Sequence, residues 1–187
     1  MQIFLETERM ILRRFTADDV DLLVELDSDP AVMRFITGGP ATPREEIEQE
    51  YIPAYLEYYE RYAGYGFWVA IEKATGDFLG WFHFRPAPES PLDEPELGYR
   101  LRQTVWGKGY GTEGSRALID KGFRELGVRR VVASTMTVNT GSRRVMEKCG
   151  MTLVRTFFME WPYEIEGSEQ GDVEYAVTRE EWERQQA

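Results

Sequence analysis

The chain has 187 residues, 42% hydrophobic and 29% charged, which suits one domain with a self-sufficient core and leaves two full domains cramped. A formal net charge of -11 opposes binding to nucleic acid or to an anionic membrane and suits a cationic small partner. A single cysteine, Cys149, excludes an internal disulfide and a thiolate metal cluster. An acidic start, MQIFLETERM, with no apolar run near the roughly 20 residues of a membrane span, predicts an unexported, cytoplasmic protein.

In chain order, Leu5 to Phe15 mixes apolar and charged residues in the manner of a half-buried strand. Thr16 with Asp19 has the form of a capping box, opening a helix through Val20, Leu23, Val24 and Leu26 that Asp29-Pro30 ends. Thr42-Pro43-Arg44-Glu45 repeats the box, with proline at the first helical position, before a stripe of Ile47, Tyr51, Ile52, Tyr55 and Tyr59. Pro53 inside that stripe removes a backbone donor, which predicts a kink or a split. GFWVAIE and FLGWFHF, on either side of a turn at Ala74 to Asp77, read as an antiparallel hairpin. Alternation puts Gly80, Phe82 and Phe84 on one face and Trp81, His83 and Arg85 on the other. Pro86 to Pro95 reads as a loop.

Glu96 to Leu101 is a strand, Thr112 to Leu126 a helix and VRRVVAST a second strand, a βαβ unit whose strands must run parallel. Ser142 to Cys149 is a helix stopped by Gly150, MTLVRTFFME and DVEYAVT are strands, and Thr178 with Glu181 opens a last helix. The expected architecture is one α/β domain over residues 1–187, a mixed sheet with helices on its faces.

VWGKGYGTEG, Val105 to Gly114, places four glycines at the start of the central helix. Bare backbone there lets unpaired N–H groups point at an anion, which the helix dipole also favours, so phosphate is the natural guest. Gly109 to Gly114 matches the dinucleotide pattern G-x-G-x-x-G, but that reading needs an acid at the end of the next strand, where Ala133-Ser134-Thr135-Met136 has none. A triphosphatase loop is a poorer match still, since the G-x-x-x-x-G-K-[ST] pattern is lacking and Lys108 is followed by Gly109 and Tyr110.

WGKGYGTEG resembles the pyrophosphate loop of the GNAT superfamily of acyl-coenzyme A transferases in the W-G-x-G-Y-A-T-E form of its RimJ/RimL-like subgroup, with Trp106 where the general pattern has Gln or Arg. ELGYRL is similar to the strand before that loop, and VNTGSRRVMEKCGM to the N-x-x-S-x-x-x-x-x-K-x-G segment after the next strand, so the resemblance spans most of residues 5 to 178. It implies a mostly antiparallel sheet whose central parallel pair splays apart, acetyl-CoA as cosubstrate, and pantetheine paired with main chain at Tyr99 and Leu101. It implies further that Trp106, Gly107, Lys108, Gly109, Tyr110, Gly111 and Thr112 form the pyrophosphate loop, and that Asn139 and Ser142 approach the pantetheine arm.

Acyl transfer to an amine needs a neutral nucleophile, a polarised thioester carbonyl and a proton for the leaving thiolate, and none of these requires a metal. The family's usual tyrosine donor falls at Met146, seven residues after Asn139, so the resemblance transfers the role to Ser142, which near a helix start also reads as an N-cap. Candidates for the base are Glu160 first, then His83, the single histidine, with Glu96 and Glu174 behind them; a neutral, well-positioned acceptor would need none. Six acids between Glu160 and Glu174, interleaved with Trp161, Pro162 and Tyr163, suit a cationic primary amine, whether a small molecule or a peptide terminus. The missing tyrosine keeps open a catalytically silent acyl-CoA sensor, and exposed sheet edges allow a homodimer.

Overall fold

The computed structural model describes residues 2–87, 90–162 and 164–186. The first departure from expectation is at the start, where Leu5 to Phe15 is not one strand but the greater part of a hairpin. β1 (Ile3–Glu6) and β2 (Met10–Arg14) pair antiparallel. Thr7 makes the turn, since its hydroxyl accepts from the Met10 N–H at 2.9 Å and its own N–H donates to the Met10 carbonyl at 2.9 Å. Thr16 and Asp19 form the expected box, with the Thr16 N–H on Asp19 Oδ2 at 2.7 Å, and α1 (Val20–Asp27) and α2 (Pro30–Met33) follow.

The second box does not form. Thr42 turns its hydroxyl inward to Asp27 Oδ2 at 2.6 Å, and Pro43 precedes α3 (Arg44–Glu46) without capping it. Asp27 is buried and also holds Arg100 at 2.5 Å, so a charge-assisted bond inside the protein outcompetes the helix terminus for that hydroxyl. Pro53 splits its helix by widening it. A π turn (Ile47–Tyr51) joins α3 to α4 (Ile52–Arg61), and the Ile52 N–H reaches back five residues to the Ile47 carbonyl, which makes room for the ring.

The remainder follows the expected order with shifted ends: β3 (Gly66–Glu72), β4 (Phe78–Pro86), β5 (Pro95–Leu101), α5 (Tyr110–Glu125), β6 (Arg130–Met136), α6 (Thr140–Lys148), β7 (Thr152–Phe157), β8 (Asp172–Thr178) and α7 (Arg179–Gln186). The strands form an eight-stranded sheet in the order β1-β2-β3-β4-β5-β6-β8-β7, antiparallel except where β5 meets β6. No helix among the described residues is long and apolar enough to cross a membrane.

Both faces of the sheet are covered, and the alternation read on β4 sorts them. Phe82 and Phe84 pack with Leu118, Ile119 and Phe123 of α5, whereas Trp81 packs with Leu23, Leu26, Ile52 and Tyr55 from α1 and α4. Gly114 sets the depth of α5. A Cβ there would lie 2.4 Å from Phe82 Cζ, so only a glycine lets the helix rest on the ring. The sheet is therefore a wall with a different chemical environment on each side, and a break in the wall connects the two.

Candidate active site

That break is the β5–β6 junction, where the parallel pairing amounts to one registered pair, Glu96 with Val132. Beyond it the strands diverge, leaving the β6-facing edge of β5 at residues 97–101 without a strand partner. A cleft of about 970 Å³ occupies the gap, and its walls include Gly98, Tyr99, Leu101, Trp106, Gly107, Gly109 to Thr112, Asn139 and Ser142. Thus all but Lys108 of the residues singled out for coenzyme A come to one surface.

The glycine-rich turn has the shape an anion needs. Gly107 and Gly109 have φ of +74° and +89°, left-handed values that a side chain resists, and Gly109 is the cap of α5. A Cβ built at Gly107 meets nothing within 4 Å, so the turn is open, and the first N–H groups of α5 have no intrahelical acceptor. A diphosphate fits this cradle. Lys108 is exposed and outside the cleft lining, while Tyr110 turns inward, donating its hydroxyl proton to Glu72 beneath the Arg9 guanidinium.

The turn is braced from behind by residues that carry no local signal in the sequence. Arg9 donates to the Lys108 carbonyl at 3.0 Å and to Glu113 Oε2 at 2.7 Å, and the Thr7 hydroxyl reaches Glu113 Oε1 at 2.6 Å. Burial pushes the Glu113 carboxyl up, but these hydrogen bonds together hold it below the usual carboxylate range. Trp106 braces the other side, its indole N–H on the Leu101 carbonyl at 2.8 Å, so that carbonyl is already engaged at the end of β5.

On the α5–α6 side, Asn139 is the cap of α6. Its Oδ1 accepts from the Ser142 N–H at 3.2 Å and its amide donates to Thr135 Oγ1 at 3.1 Å. Ser142 is therefore not the N-cap; its hydroxyl is spared that duty and lies beside the Tyr99 phenol, which burial pushes up to about 12 despite the serine's opposing influence. Met146 stands one turn further on, buried, and Cys149 is buried with its thiol pushed up to about 12, far from the range of a reactive thiolate.

On the opposite side of the sheet, His83 and Glu96 both line the cleft. The imidazole leans across β5, and a Cβ at Gly98 would strike its Cε1 and Nε2 at 2.6 Å, so Gly98 admits the ring. Burial, reinforced by Arg85 and Arg100, pushes His83 down to about 3, which leaves it neutral at pH 7. Glu96 responds in the other direction. Burial raises its carboxyl above the usual range and Glu174 adds to this, against the opposing pull of Arg85 at 3.6 Å; its Oε2 lies 3.9 Å from His83 Nε2.

Glu160, the first sequence candidate for the base, is exposed and outside the cleft lining, whereas its neighbour Trp161 is part of it. Glu160 sits three residues past the end of β7 at Phe157, in a segment without regular structure. Glu174 is engaged by Arg130 at 3.5 Å and Arg155 at 2.7 Å. Tyr163 lies outside the described residues. Among the described residues no group of three or more His, Cys, Asp or Glu could hold a metal ion.

Comparison with known proteins agrees with this geometry. The profile of the acetyltransferase (GNAT) domain matches residues 9–152. The FsC-acetyl coenzyme A-N(2)-transacetylase of Aspergillus fumigatus is 38% identical over 189 residues, covering 97% of this chain and 79% of that protein. An acetyltransferase (GNAT family) structure from Bacillus anthracis superposes with a TM-score of 0.74 at 25% identity, covering 96% of this chain and 99% of the other. The fold also matches RimL, a ribosomal L7/L12 alpha-N-protein acetyltransferase in complex with coenzyme A, with a TM-score of 0.77 at 21% identity over 95% of this chain and 98% of that one. The chain belongs to the GNAT acetyltransferase family and is an acyl-CoA-dependent transferase.

Proposed function

We propose that the protein moves an acetyl group from acetyl-CoA directly to a primary amine, as one GNAT-like domain of the RimJ/RimL-like type. The observation that carries this reading is the single-pair β5–β6 junction, which opens a cleft through the sheet with the glycine turn at one mouth and Glu96 at the other. In this reading the amides of 107–112 hold the diphosphate, and the unpaired edge of β5 receives the pantetheine arm. An N–H of the same strand polarises the thioester carbonyl.

Glu96 accepts the proton of the attacking amine, directly or through one water. It is favoured over His83 because a neutral imidazole that protonates only near pH 3 is a poor proton acceptor, while a carboxylate raised by burial is a stronger base than usual. As the new C–N bond forms and the C–S bond breaks, the Ser142 hydroxyl donates to the departing sulfur, and the products are an amide and free coenzyme A.

The test is to mix protein, acetyl-CoA and a panel of primary amines and to follow free thiol together with acetylated product by mass. Amine-dependent thiol release with a stoichiometric amide is expected. Tight coenzyme A binding without turnover on any amine would instead favour a silent acyl-CoA sensor, the alternative that Met146 motivates.

A further inference from the structure

We propose that Tyr99 is the source of the proton that Ser142 passes to the departing sulfur, so that a relay of two hydroxyls, one from β5 and one from α6, serves the leaving group. This deepens, and rests on, the reading of the cleft as an acyl-CoA transferase site. Three observations carry it.

The first is where the ring lies. Tyr99 is the middle residue of the β5 segment whose β6-facing edge has no strand partner, and it pairs in register with Phe82 of β4. Both rings stand on the α5 face of the sheet, with centroids 5.7 Å apart. The phenol reaches the seam between two helices. A Cβ at Gly111 of α5 would lie 3.4 Å from Tyr99 Cζ, the carbon that carries the hydroxyl, and 3.6 Å from Val145 Cγ2 of α6. Gly111, Ser142 and Val145 line the cleft together with Tyr99.

The second is what the hydroxyl leaves undone. The phenols of Tyr58 and Tyr59 donate to main-chain carbonyls, and those of Tyr110 and Tyr175 to carboxylates. The polar neighbours of the Tyr99 phenol are instead the Ser142 hydroxyl and the Cys149 thiol. That thiol stays protonated and lies on the Thr112 carbonyl at 3.8 Å. Burial also keeps the phenol protonated at neutral pH, and the Ser142 oxygen is the acceptor beside it.

The third is a shortage at Ser142. A serine hydroxyl holds one proton, and giving it to sulfur leaves an alkoxide unless a second acid restores it at once. A phenol, even raised by burial, is a stronger acid than an aliphatic alcohol. The burial that pushes Cys149 up to about 12 acts equally on a thiolate released nearby, which makes that sulfur basic enough to draw the proton. As the C–S bond breaks, the Ser142 proton goes to sulfur and the Tyr99 proton to the Ser142 oxygen. Coenzyme A leaves as the thiol, and the phenolate takes a proton from water. The amine proton collected by Glu96 returns to water and balances it. Tyr99 thus acts through Ser142, as a positioning residue that also resupplies its proton.

The test is Tyr99→Phe, which keeps the ring and removes the hydroxyl. Thiol release in a single turnover should slow by about 10-fold or more while the Kd for coenzyme A stays within about 2-fold. Because the two hydroxyls act in series, Tyr99→Phe combined with Ser142→Ala should be at most about 3-fold slower than the slower single variant. Losses that multiply overturn the relay. The solvent isotope effect on the same rate should shrink in Tyr99→Phe, since one proton fewer is in flight, and an equal effect in both proteins overturns it as well. Tyr99→Leu serves the same comparisons if the phenylalanine variant does not fold. If the parent releases thiol with an amine and Tyr99→Phe keeps the full rate, the inference alone falls. If the parent releases none with any amine, the reading of the cleft falls with it.

Discussion

Arg9 and Glu113 are separated by 104 positions in the chain and by 2.7 Å in the fold. Through the Lys108 carbonyl the same guanidinium fixes the glycine turn, so the β1–β2 hairpin serves as a strut for the turn proposed to hold the diphosphate. Arg9→Ala should raise KM for acetyl-CoA by about 3–10-fold, the equivalent of one or two hydrogen bonds, with a smaller change in kcat. Titration calorimetry with coenzyme A checks it, and an unchanged affinity would show the strut to be idle.

The same pair has a pH signature. Glu113 is held below its unfolded value of about 4.3, so its contribution to stability is complete above that value and fades as pH falls through the folded one. The wild-type advantage in Tm over Arg9→Ala should therefore shrink between about pH 5 and pH 3. A gap that stays constant across that range would dissociate the carboxylate from the effect.

Ser142→Ala should lower kcat by about 10–100-fold while coenzyme A affinity stays within about 2-fold, because the hydroxyl is assigned to the leaving group and not to binding. The helix itself should survive, since Asn139 and not Ser142 accepts at its start. Stopped assays of thiol release beside calorimetric Kd values separate the two effects, and full turnover in the variant removes Ser142 from the mechanism.

Glu96 predicts an acidic limb in kcat/KM that lies above the ordinary carboxylate range, since burial raises its pKa and only the deprotonated form accepts a proton. Glu96→Gln should abolish that limb and lower kcat/KM by about 100-fold or more. The His83→Gln profile should keep the limb, because an imidazole neutral down to about pH 3 does not titrate in that window. If the limb vanishes with His83 instead, the assignment reverses.

Gly114→Ala forces a methyl group to within 2.4 Å of the Phe82 ring, against the wall that supports the cleft. Overpacking of this kind costs about 1–3 kcal/mol, so thermal unfolding should show a clear drop in Tm. A variant as stable as the parent would mean that α5 can slide on the sheet.

Much of the fold around the cleft was legible in the sequence because its features are local. The glycines of 105–114, the alternation of Phe82 with Trp81 and the stop at Gly150 each follow from neighbours a few positions apart. Other features were not legible, because their partners are distant in the chain. Thr42 reads as a helix cap until Asp27 is seen beside it, and nothing near Glu113 points to Arg9. Glu160 failed for a subtler reason. A strand end fixes which residue faces inward only once its register is known, and there Trp161 took the inward place. Ser142 shows the converse, since two readings competed for one hydroxyl until the Asn139 contact removed one of them.

The lone registered pair between β5 and β6 turns the sheet into a partition with a window. On the function proposed above, donor and acceptor approach from opposite rooms: one built from α5 and α6, the other from α2, the outer face of β4 and the β7–β8 loop. On that reading, residues such as Phe35, Trp81 and Trp161 are where a lineage, or a laboratory, would retune which amine is accepted.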